Sequence, residues 1–102
     1  MPKVIETEAF ATWLSALKDS VAKTRIVARI KRLAAGSPGD VKPVGDGVSE
    51  LRFRFGPGYR VYFAKRGEEL IIILGGGDKD TQARDIKAAL KLWGEVKKED
   101  SK

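Results

Sequence analysis

The stretch Glu50–Phe63, ELRFRFGPGYRVYF, sets two alternating apolar and cationic runs on either side of a Gly-Pro-Gly turn. Side chains on an extended chain alternate between two faces, so Leu51, Phe53 and Phe55 fall on one side and Arg52 and Arg54 on the other. After the turn Tyr59, Val61 and Phe63 share a face, and Arg60 and Tyr62 share its opposite. Proline presets the backbone of such a turn and the flanking glycines supply positive φ. The pattern predicts a hairpin that buries one apolar face and displays a mixed Arg/Tyr face.

With 102 residues the chain is long enough for one domain with a single core. It has no cysteine, which excludes a disulfide framework and a thiolate metal site. It has no histidine either, so any acid–base chemistry falls to Lys, Arg, Tyr and carboxylates. A net charge of +6 and a pI near 9.7 favour an anionic partner, whether nucleic acid, an acidic protein or a membrane surface. No apolar run approaches the length of a bilayer span and the N-terminus lacks a signal-peptide core, so a cytoplasmic location is expected, with no membrane partner.

Outward from the hairpin, the expected elements follow in order. Val4 and Ile5 begin a short strand, and Phe10, Trp13, Leu14 and Leu17 recur at helical spacing in a helix opened by Glu6 or Thr7 and running to about Asp19. Ser20 is read as the cap of a second helix, with Val21, Ile26, Ile30 and Leu33 inward and Lys23, Arg25, Arg29, Lys31 and Arg32 outward. Gly36 and Pro38 end it. GSPGDVKPVGDG, residues 36–47, reads as a surface loop. LIIIL, Leu70–Leu74, reads as a central strand buried on both faces. GGGDKDTQ then turns into a last helix capped by Asp80 or Thr81, with Ile86, Ala89, Leu90 and Trp93 inward. The domain is expected over residues 1–95, with 96–102 a frayed charged tail.

The side chains with chemistry to offer are mostly cations. Arg52, Arg54 and Arg60 share the face of Tyr62, and guanidinium groups grip phosphate with two donors while a tyrosine stacks on a base or donates its hydroxyl. The plain alternative is that a solvated sheet face needs polar residues. Lys79, in a glycine-rich loop after the last strand, can reach over the same face or remain solvated. Gly75–Gly77 lacks the spacing of a phosphate loop, and Asp78, Asp80 and Asp85 match no calcium loop, so neither a metal nor a cofactor is expected. Trp13 and Trp93 lie on apolar helix stripes and read as core. The cations of the second helix either face solvent or rest on an RNA backbone, which they position without reading its sequence.

These motifs, in this order, resemble the RelE/ParE toxin superfamily and within it the HigB-like addiction-module killer proteins. The resemblance rests on ELRFRFGPGYRVYF and the GGDKDTQARDI that follows the apolar strand. It extends to F-x-x-W-L at Phe10–Leu14, RIVARIKRL at Arg25–Leu33 and GDVKPVGDGV at Gly39–Val48. It implies an α+β fold of RelE type: a short N-terminal strand, a helical hairpin, an antiparallel three-strand meander completing a four-stranded sheet, and a C-terminal helix.

The implied function is that of the toxin of a type II toxin–antitoxin system, a ribosome-dependent mRNA endoribonuclease neutralised by a cognate helix-turn-helix antitoxin. Its partners would be mRNA and the ribosome, with operator DNA reached only through the antitoxin. The family's cations map onto Arg60 in Gly-Tyr-Arg, onto Arg52 and Arg54 in the preceding strand and onto Lys79. Relatives that carry a tyrosine or histidine near the terminal helix have no counterpart here, which leaves Tyr62 or Asp85 to stand in as base. Lys23, Arg25, Arg29, Lys31 and Arg32 would contact RNA or ribosome. Two other readings stand beside it: a ParE-like inhibitor of DNA gyrase without nuclease activity, and a non-catalytic RNA-binding module.

Overall fold

A computed structural model describes residues 1–100 of the chain. In it the elements run β1 (Lys3–Glu6), α1 (Glu8–Ala16), α2 (Ser20–Ala34), β2 (Val41–Gly45), β3 (Val48–Arg52), β4 (Arg60–Arg66), β5 (Leu70–Gly77) and α3 (Gln82–Asp100). The strands form one mixed sheet in the order β1-β5-β4-β3-β2. β2 through β5 pair antiparallel with their neighbours and β1 pairs parallel with β5. The α+β class is as expected, but the sheet has five strands where four were expected.

The additional strand, β2, lies within the stretch read as a loop. Its Pro43 is tolerable because β2 is an edge strand, where a missing N–H costs no ladder bond. A two-residue turn, Asp46-Gly47, joins it to β3 with positive φ at both residues, 50° and 86°. That geometry suits an Asp-Gly pair between strands, because its twist matches theirs. Trp93 locks the turn from α3 by donating its indole N–H to the Asp46 carbonyl at 2.9 Å.

The helix ends are set by side-chain caps. Thr7 caps α1 by accepting from the Phe10 amide at 3.3 Å, and its own hydroxyl donates to the Ile73 carbonyl at 2.7 Å, tying the cap to β5. Asp19, not Ser20, caps α2, its carboxylate accepting from the amides of Val21 and Ala22. Val21 faces solvent, 61% exposed, and Ala22, four residues before Ile26 on the same helix face, takes the inward place. The last helix continues beyond the expected boundary at 95, through Asp100. Val96 packs against the core below it and the Lys97 ammonium sits 5.6 Å from the centre of the Trp93 ring, contacts that hold the last turns. Residues 101 and 102 of the expected frayed tail lie outside the described residues.

Both faces of the sheet are covered. Against the helical hairpin lie Leu51, Phe53, Tyr59, Val61, Phe63, Ile71 and Ile73, packed on Phe10, Ala22, Ile26, Ile30 and Leu33. Against α3 lie Val48, Tyr62, Ala64, Ile72 and Leu74, packed on Ala89 and Trp93. The expected display face of the Glu50–Phe63 hairpin is therefore a second core. Arg52 and Arg60, register partners at its end, escape it, while Glu50 and Tyr62, partners at its middle, are buried.

Candidate functional site

β3 ends at Arg52 and β4 begins at Arg60, so residues 53–59 form a longer connection than a tight hairpin. Its aromatic residues hold it down. Phe53 and Phe55 meet edge to face with ring centres 5.8 Å apart, Phe55 meets Tyr59 at 5.8 Å, and Tyr59 meets Trp13 of α1 at 6.1 Å. The loop after β5 docks on this connection, the Lys79 amide lying 3.4 Å from the Pro57 carbonyl. Gly58 permits that approach: its φ is 76°, and a Cβ there would stand 3.3 Å from the Lys79 Cβ.

Where the two loops meet, Asp40, Arg52, Phe53, Arg54, Gly58, Arg60 and Lys79 line an open cleft of about 360 Å³. Four of the five residues expected to carry chemistry, Arg52, Arg54, Arg60 and Lys79, thus converge. The fifth does not. Tyr62 is fully buried under α3, and its hydroxyl finds no hydrogen-bond partner among the described residues. Burial pushes the phenol far above its ordinary value, and the carboxylates of Glu50 and Asp85 push the same way. Such a group neither reaches a substrate nor ionises near neutral pH. Tyr62→Phe is expected to leave activity intact and stability unchanged or raised by up to about 1 kcal/mol, since it removes an unpartnered polar atom. A thermal melt beside an activity assay checks it, and lost activity in a folded variant would return Tyr62 to the site.

Asp85 lies elsewhere too. Its carboxylate accepts from the Thr81 hydroxyl one turn back and packs over Gly77. It lines a separate cleft with Gly75, Gly76, Ala88 and Leu92 between α3 and the start of α1.

Within the cation cleft Arg60 is held from below. Its Nη1 donates to the carbonyls of Phe53, Gly58 and Tyr59 at 3.4, 3.1 and 3.2 Å, and its Nε is buried with no partner among the described residues. The guanidinium is thereby fixed at the strand end with few rotamers to lose on binding. Arg52 directs Nε and Nη2 at one oxygen of Asp40, at 3.1 and 2.8 Å. The hydrogen bond from Arg52 and the charges of Arg52, Arg54 and Arg29 hold the Asp40 carboxyl below its ordinary value. The pairing raises Arg52 in turn. Arg54, whose side chain is 90% exposed, stands 3.9 Å from the other Asp40 oxygen.

A second groove of about 290 Å³ continues from Phe53 and Arg54 onto α2, lined there by Arg25, Ala28, Arg29 and Arg32. Positions 25, 29 and 32 fall on one helix face. Arg25 lies over the Phe55 ring at 4.9 Å and Arg32 is exposed. Arg29 is also tied into the fold. It lies over Phe53 at 4.7 Å and donates to the carbonyls of Pro38, Asp40 and Arg52 at 2.9, 3.2 and 3.0 Å. Burial, and then the charge of Arg32, lowers its pKa from the ordinary value. The two lysines leave this face. Lys23 donates to the Ser15 carbonyl at 3.2 Å, and Lys31 borders an apolar groove with Val4, Phe10 and Val27.

One residue of the site, Asp40, was not singled out from the sequence, because it sat in a stretch read as loop. Arg29 was expected among the five helix cations, but its bonds to the backbone at Pro38, Asp40 and Arg52 were not. A helical spacing of four from Arg25 was the available signal for placing Arg29 beside it.

No helix among the described residues is long and apolar enough to cross a membrane. No solved structure matches the chain. A protein of Haemophilus influenzae, described only as uncharacterized, is 52% identical over 90 residues, which cover 88% of this chain and 91% of the relative. The model of the family described as "Phage derived protein Gp49-like (DUF891)" matches residues 12–93, a span that takes in the second half of α1, all of α2, four of the five strands and the cation cleft. That match covers most of the chain, which therefore belongs to the Gp49-like family of phage-derived proteins.

Proposed function

We propose that this protein is the toxin of a type II toxin–antitoxin system of RelE/ParE type, HigB-like, which cleaves mRNA on the ribosome in the cytoplasm. The observation that carries the reading is the convergence of Arg52, Arg54, Arg60 and Lys79 on one open cleft. Cleavage of RNA by its own 2′-hydroxyl forms a bond from that oxygen to phosphorus and breaks the bond to the 5′-oxygen. The transition state carries extra negative charge on the phosphate oxygens and on the leaving oxygen. Preorganised cations meet both needs, Arg60 from its carbonyl cradle and Lys79 from the facing loop.

Proton transfer is the weaker provision. The carboxylate in the cleft, Asp40, is held ionised by Arg52 and so accepts protons poorly, and Tyr62 is out of reach. The chemistry then leans on charge stabilisation and on orientation of the 2′-hydroxyl, which the ribosome supplies by holding the message in place. Arg25 and Arg32 extend the positive surface along α2 for RNA backbone. The partners are mRNA and the ribosome, and a cognate helix-turn-helix antitoxin whose acidic surface covers part of the same field. Operator DNA is reached through the antitoxin.

The test is to induce the protein in bacteria without an antitoxin, follow translation and DNA synthesis over the same minutes, and map mRNA 5′ ends. Early translation arrest with new in-frame ends is the expected result. Early replication arrest with intact messages would replace this reading with gyrase inhibition, and neither arrest would leave a binding module.

A further inference from the structure

The same Arg52 edge that would grip a phosphate is already engaged by a carboxylate of this chain. Arg52 presents Nε and Nη2 to Asp40, the pair of donors with which a guanidinium takes a phosphate. The second Asp40 oxygen faces Arg54 at 3.9 Å. Among the described residues Arg60 and Lys79 take no carboxylate partner, so the cleft holds two cations without a paired anion and two that share one.

Closing the loop does not require the Asp40 side chain. The Asp40 carbonyl accepts from the Arg52 amide at 2.9 Å and from Arg29 Nη2 at 3.2 Å, and the nearby Pro38 carbonyl accepts from Arg29 Nε at 2.9 Å. The backbone at residues 38–40 is thus fixed to α2 and β3 by bonds that any side chain at 40 would leave in place. The Arg52–Asp40 pair also sits at the cleft mouth, with side chains 35% and 29% exposed, where ion pairs exchange partners at little cost.

Building on the phosphate-binding reading of this cleft, we propose that Asp40 is an internal competitor for substrate phosphate: its carboxylate occupies the Arg52 donor edge in the free protein and yields it when a polynucleotide phosphate binds. Asp40 is then a residue that sets affinity through Arg52, and its presence weakens binding. The ordinary alternative, that Asp40 aims Arg52 at the substrate, predicts the opposite sign.

The test is titration of a labelled single-stranded oligouridylate with the wild type and with Asp40→Asn, Asp40→Glu, Arg52→Gln and the Asp40→Asn/Arg52→Gln pair, over a range of salt. Asp40→Asn is expected to bind about threefold to tenfold tighter at low salt, and its slope of log affinity against log salt to steepen by up to about one, because no displaced carboxylate is left to recruit a cation in the complex. Asp40→Glu should stay near the wild type. The gain should vanish in the Arg52→Gln background, because the competitor acts through that residue. Asp40→Ser repeats the measurement if asparagine disturbs the loop, with thermal melts reporting the fold of each variant. Unchanged or weaker binding by Asp40→Asn, or a gain that persists without Arg52, overturns the proposal while leaving the phosphate-binding cleft standing. Absence of oligouridylate binding by wild type and Asp40→Asn alike, even at low salt, overturns both.

Discussion

Arg60→Ala is expected to abolish toxicity, with message cleavage on ribosomes falling by about 10²- to 10³-fold, the loss typical of removing one preorganised charge or donor from a transition state. Arg60 is the cation in the cleft whose position the fold fixes most firmly, through three turn carbonyls on its Nη1 and burial of its Nε. Lysine in its place brings the charge but not the fork. One ammonium cannot satisfy the carbonyl cradle and face a phosphate together, so Arg60→Lys should recover only a small part of the activity. Loss of the carbonyl partners also loosens the 53–59 connection, and a melt is needed beside the activity assay. The aromatic contacts from Phe53, Phe55 and Tyr59 to Trp13 remain, so the variant should stay folded and keep its antitoxin. A folded Arg60→Ala protein that still arrests translation would remove Arg60 from the mechanism.

How far this site could be read from sequence depended on what alternation can encode. Period two assigned Leu51, Phe53, Tyr59, Val61 and Phe63 to one face correctly, and they form one core cluster with the helical hairpin. It also put Arg52, Arg60 and Tyr62 together on the other face, and they do share it. Alternation says nothing of depth along the strand. Arg52 and Arg60 pair at the strand ends beyond the cover of α3, whereas Tyr62 pairs with Glu50 beneath it. The long strand at Leu70–Leu74 was legible because an unbroken apolar run needs cover on both faces, and β5 lies between β1 and β4. β2 was not, because Gly and Pro density outweighed a Val-Gly-Asp-Gly-Val segment that carries a two-residue hairpin turn. Asp40, and the part Arg29 plays in holding the fold, were hidden for another reason. Their partners lie 12 and 23 residues further along the chain, at Arg52, and local pattern cannot see such distances.

The buried middle of that second face yields the largest stability effect. Gln82→Leu is expected to destabilise the protein by about 3 kcal/mol, because it strips a buried carboxylate of its hydrogen-bond partner. For a domain of this size the melting temperature should fall by roughly 12–24 °C. Glu50 is 1% exposed, and both its oxygens accept from the Gln82 side-chain amide, at 3.1 and 2.9 Å. Gln82 is the first residue of α3, so the bond anchors the helix start to β3, and the helix dipole favours the carboxylate at that end. Leucine has a similar size but no donor, so the loss is electrostatic and not a cavity. The pair Glu50→Leu/Gln82→Leu should recover most of the stability, since apolar replacement of both partners removes the buried charge along with its unmet need. Thermal or urea unfolding of the wild type, both single variants and the pair measures the cycle. A Gln82→Leu protein within about 0.5 kcal/mol of the wild type, the range of an ordinary surface substitution, would mean that the Glu50 carboxylate does not depend on Gln82. A double variant no better than Gln82→Leu would mean that Gln82 stabilises α3 without acting through Glu50.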